Sequence, residues 1–115
     1  MITTEAQQQL KLLLVDYKKH INFEQDLIYF NEKLTRYLFF FHTLDENRKV
    51  ALFFICFKIG VQALLNCIEL LFALERCEYG EASKEIMDIT DAIRIAAEII
   101  KTGVIDSVHA QQIST

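Results

Sequence analysis

The sequence predicts an all-α fold, a four-helix up-and-down bundle around a long central hydrophobic helix, with a fifth helix if the C-terminal residues add one. Three observations carry this. Proline is absent and glycine occurs only at 60, 80 and 103, so the residues that punctuate sheets, hairpins and long loops are nearly missing. Apolar residues recur at three- and four-residue spacing along much of the chain. From Glu46 to about Cys77 the chain is largely apolar and carries no stop signal except Gly60. The 115 residues make one domain, 1–115, with no internal repeat and no low-complexity linker.

The first helix is expected to start at Thr3 or Thr4, where a hydroxyl can cap free N–H groups and Glu5 suits the positive end of the dipole. Leu10, Leu13, Leu14, Tyr17 and Ile21 form its apolar face. Asn22-Phe23-Glu24-Gln25 has the form of a capping box and opens a second helix, about Phe23 to His42. Its apolar face is Phe23, Leu27, Phe30, Leu34, Tyr37, Leu38 and Phe41, and the run from Tyr37 to Phe41 is apolar all round, which implies burial on more than one side.

Thr43-Leu44-Asp45-Glu46 is a Thr-x-x-Glu capping box placed directly before the long apolar run, and it starts helix three. Gly60 costs about 1 kcal/mol in a helix interior but does not by itself end one. Lys58, Gln62, Asn66, Glu69 and Arg76 make a thin polar stripe at helical spacing. Gly80 marks a turn, and Ser83 caps a fourth helix that buries Ile86, Ile89, Ile93, Ala96, Ala97 and Ile100. Asp91, Arg94 and Glu98 share its polar face, Gly103 caps its end, and the polar end of the chain, Gln111 to Thr115, is expected to fray.

The same run is long enough to cross a bilayer of about 30 Å, which raises a membrane-embedded subunit as an alternative. The polar stripe argues against it, since Lys58 near the bilayer centre costs roughly 2.5–3.5 kcal/mol. Net charge is −4, which disfavours a phosphate-tracking surface, so no nucleic-acid partner is expected. Cys56, Cys67 and Cys77 stand too far apart on one helix, roughly 15 Å between neighbours, to form a disulfide or share a metal. They read as free thiols in a reducing, cytoplasmic setting, and Met1 to Glu5 lacks the basic and apolar regions of a signal peptide.

Catalytic chemistry finds little footing. None of His20, His42 and His109 has a glutamate three residues before it, and only His109 has any carboxylate there, Asp106, so the Glu-x-x-His unit of di-iron bundles is missing and no metal or cofactor is expected. Arg36 and His42, with five residues between them, resemble the Arg-x(4–6)-His element of HEPN-type ribonucleases, which are α-helical and dimeric. On an unbroken helix the two side chains would point roughly 120° apart. The carboxylates Glu75, Glu78, Glu81, Glu85 and Asp88 form an acidic strip that reads as solvated surface.

Aromatic density between Tyr29 and Phe57 is the feature least at home in a bland monomer. The ordinary reading is a rich core and a third is a pocket for an apolar ligand, but two neighbouring helices cannot bury rings pointing in every direction, so Tyr37, Phe39, Phe40, Phe41, Phe53, Phe54 and Phe57 are candidate interface residues. The resulting expectation is a non-enzymatic protein-interaction module, an adaptor, chaperone or inhibitor-like bundle with a protein partner, most simply a homodimer. A dimeric ribonuclease using Arg36 and His42 is the enzymatic alternative.

Overall fold

A computed structural model of the chain describes residues 1–14, 22–90 and 93–105. The expectations that fall on Tyr17, His20, Ile21, Asp91, His109 and the last ten residues lie outside them. Among the described residues the fold is all-helical, with seven α-helices and no strand: α1 (Thr4–Leu13), α2 (Phe23–Tyr37), α3 (Glu46–Ile59), α4 (Val61–Leu65), α5 (Ile68–Glu75), α6 (Tyr79–Ile89) and α7 (Arg94–Thr102). A 3₁₀ turn, Phe41–Thr43, links α2 to α3.

The N-terminal cap is the one expected. Thr3 is extended and its Oγ1 accepts the Ala6 N–H at 3.1 Å. At α2, Asn22 occupies the cap position without a side-chain bond to the helix. At α3 the cap is Asp45, whose carboxylate accepts the Arg48 N–H, rather than Thr43. The Thr43 hydroxyl instead donates to the Phe40 carbonyl at 2.6 Å, closing the 3₁₀ turn.

The expected helix over residues 46–77 is broken twice. At Gly60 the backbone takes φ 94° and ψ 151°, a region open essentially to glycine alone. The turn lets α4 pack on both α3 and α2 and bury Val61 and Leu64. A second break at Asn66–Cys67 redirects the chain into α5, which packs on α6. Helix α5 ends at Glu75, and the chain turns at Cys77, not at Gly80. Cys77 has φ 59°, its N–H bonds the Leu74 carbonyl, and the Glu78 N–H reaches back to Ala73 at 2.9 Å. These two bonds make a Schellman ending. Gly80 and Ser83 consequently lie inside α6.

The expected fourth helix is likewise two. Thr90 is extended (φ −171°, ψ 149°), so α6 and α7 fold against each other, and Ile89 is 36% exposed instead of buried. Gly103 caps α7 as expected, in the left-handed region, with its N–H on the Ile99 carbonyl.

Helix α3 is the hub. Val50 to Phe57 are all buried, and α1, α2, α4 and α7 pack on it. No polar or charged side chain joins the buried set among the described residues. Phe41 meets Phe53 edge-on at 5.7 Å, while Phe57 stacks on Phe23 at 5.2 Å and takes the Phe30 edge at 4.9 Å. Polar clasps sit at the first turn of α3: Glu46 accepts the Thr3 N–H, Asn47 donates to the Gly103 carbonyl, and Arg48 donates to Ile100. The Arg48 guanidinium also lies 3.5 Å from the Tyr79 ring centre. No helix among the described residues is long and apolar enough to cross a membrane.

Candidate functional site

Leu38 decides which aromatic rings stay outside. Its backbone is extended (φ −115°, ψ 95°), so α2 stops at Tyr37 and the chain turns through Phe39 and Phe40 into the 3₁₀ turn. That turn folds Phe40 and Phe41 inward and leaves Phe39 out at 70% exposure. Phe53, Phe54 and Phe57 are enclosed on α3. Of the seven rings expected at one interface, five are therefore packed by their own chain. Tyr37 and Phe39 remain exposed, and Phe39 touches Phe40 edge-on at 5.7 Å.

The exposed face continues along α2. Tyr29, Lys33 and Tyr37 are four residues apart and so lie one above another. Lys33 Nζ stands 5.6 Å from the Tyr29 ring centre and 5.8 Å from that of Tyr37, a cation held between two rings. These residues form one wall of an open groove of ≈ 440 Å³. Leu38, Val61, Gln62, Leu65 and Leu71 also line it. The break at Gly60 creates the second wall, because it sets α4 beside α2. Gln62 is already engaged, its amide donating to Asn66 Oδ1 at 3.2 Å.

Composition and density concealed the groove, but the Tyr-x₃-Lys-x₃-Tyr spacing was a signal for its α2 wall. A separate apolar pair, Ile68 and Phe72, is exposed on α5, with Arg76 5.8 Å from the Phe72 ring centre.

Arg36 and His42 are not brought onto one helix. Arg36 ends α2, exposed and paired with Glu32 at 3.2 Å, and His42 sits exposed in the 3₁₀ turn beyond the extended Leu38. Glu75, Glu78, Glu81 and Asp88 of the acidic strip are exposed, and Glu85 is half-buried. Among the described residues, no group of three or more His, Cys, Asp or Glu side chains could hold a metal ion.

The three thiols differ. Burial pushes Cys56 far above the ordinary thiol range. Cys67 is raised by partial burial and then by the nearby Glu85 charge. Cys77 is exposed, and its hydrogen bond with Tyr79 is the first cause of a raised phenol pKa there, ahead of burial and the charge of Cys77, with Arg48 opposing.

Comparison with protein-family models, with curated proteins and with solved structures finds no match.

Proposed function

We propose that this chain is a non-enzymatic protein-interaction module of the cytoplasm, an adaptor, chaperone or inhibitor-like helical bundle that self-associates through the end of α2. The observation that carries this reading is the exposure of Phe39 at 70% and Tyr37 at 58% on adjoining turns of an otherwise well-filled fold. Large rings left outside a core that buries five neighbouring phenylalanines are costly to keep in water, and exposed apolar surface gathered in one place usually marks a contact site. Aromatic side chains supply large contact area with few rotatable bonds, which suits them to such a site. The enzymatic alternative draws no support from Arg36 and His42, which stand on separate elements with Arg36 engaged by Glu32.

Native mass spectrometry of the purified chain over a range of concentrations tests the reading. The wild type is expected to populate a dimer, and Phe39→Ser to shift it at least about tenfold toward monomer without loss of helix content. A wild type that stays monomeric throughout, or a dimer indifferent to Phe39→Ser, would reject association through this surface.

A further inference from the structure

The groove between α2 and α4 has a charge pattern that singles out a ligand. Its volume of ≈ 440 Å³ lies within the range of small-molecule sites, roughly 300–1,000 Å³. Leu38, Val61, Leu65 and Leu71 supply apolar lining, and the two tyrosines stand along the opposite wall. Among the described residues Lys33 is the single charged residue in that lining and no carboxylate lines it, although the chain as a whole carries net charge −4. Nor does Lys33 pair with an acid elsewhere among the described residues; Glu32, its neighbour, pairs with Arg36. The ammonium is instead held between two ring faces, which attract a cation but leave donors available for an anion.

We propose that this groove binds a small amphipathic carboxylate, an aliphatic or aryl chain ending in a carboxyl group, with the carboxylate on Lys33 and the chain along Leu38, Val61, Leu65 and Leu71. A strong hydrogen bond between charged partners fixes the head, and burial of the chain supplies most of the affinity. The two readings share Tyr37, but Phe39 belongs to the association surface alone, and every residue of the groove comes from one chain.

Titration of the ¹⁵N- and methyl-labelled chain with sodium decanoate below its micelle concentration, followed by NMR, is the test. Saturable shifts are expected at Val61, Leu65 and Leu71. Decylamine, of equal chain length and opposite charge, should bind at least about tenfold more weakly, Lys33→Met should lose a similar factor for decanoate, and Lys33→Arg should retain binding. Absence of saturable shifts at the lining residues overturns the proposal. So does equal binding of the amine, or unchanged decanoate affinity in a folded Lys33→Met chain. The Phe39→Ser variant separates the two readings, since it should disrupt the dimer and leave decanoate binding intact.

Discussion

Cys77 occupies a backbone position where helix endings favour glycine. It sits in the left-handed region at φ 59°, between the two bonds of a Schellman ending, and a side chain there costs roughly 1–2 kcal/mol. Gly103 plays the corresponding part after α7 at φ 72°, and a Cβ there would come within 3.0 Å of the Arg48 guanidinium. Cys77→Gly is accordingly expected to raise stability by about 0.5–1 kcal/mol in urea unfolding, the gain reduced by the greater freedom of glycine in the unfolded chain. The native thiols should also separate by reactivity. Cys77 is expected to react first with a thiol-specific reagent and Cys67 more slowly, because the thiolate is the attacking form and its formation is disfavoured at Cys67. Cys56 should remain protected up to and beyond pH 9 and react only when the chain unfolds. Quantitation of labelled cysteines by mass spectrometry across pH checks the order; early labelling of Cys56 in folded protein would contradict the burial of α3.

At the scale of elements, the breaks matter more than the helices. Gly60 has nothing within 4 Å of the place a Cβ would occupy, so its requirement is purely conformational. Gly60→Ala is expected to cost about 2–3 kcal/mol and to weaken decanoate binding, because α4 would no longer be held beside α2. Thermal unfolding with the same NMR titration would show both, and an unchanged melting temperature would mean the turn tolerates a side chain. Periodicity could not expose this break. Lys58, Gln62, Asn66 and Glu69 keep helical spacing across it, since the pieces on either side are themselves helical. The same holds at Thr90, where Ile86 and Ile93 remain buried although the axis has turned. Caps were more legible: Thr3 and Gly103 act as their residue types predict, while the Thr43 box misleads by two residues because Asp45 is the better-placed acceptor.

Across the whole molecule, the all-helical class and the core were readable because absent proline, scarce glycine and an all-round apolar α3 point the same way. The candidate site was not. Tyr37 and Phe39 have the same composition signal as Phe40 and Phe41, and only the extended Leu38 sorts exposed rings from buried ones. Phe53, fully enclosed and edge-on to Phe41, is expected to be the costliest of these rings to remove. Phe53→Ala should destabilise by about 3–5 kcal/mol, a large share of the 5–15 kcal/mol typical of a domain. A fall in the urea midpoint at unchanged slope would establish a pure stability effect, whereas a lower slope would signal a loosened native state.

The clasps at the first turn of α3 have a mechanical consequence. Glu46 holds the start of α1 through Thr3, while Asn47 and Arg48 hold the end of α7 through Gly103 and Ile100. Tension applied across residues 3 and 103 would therefore load these three side chains together with the apolar packing of α1 and α7 on α3. The first turn of α3 thus ties the start of α1 to the end of α7, so that one turn of helix couples two elements far apart in sequence.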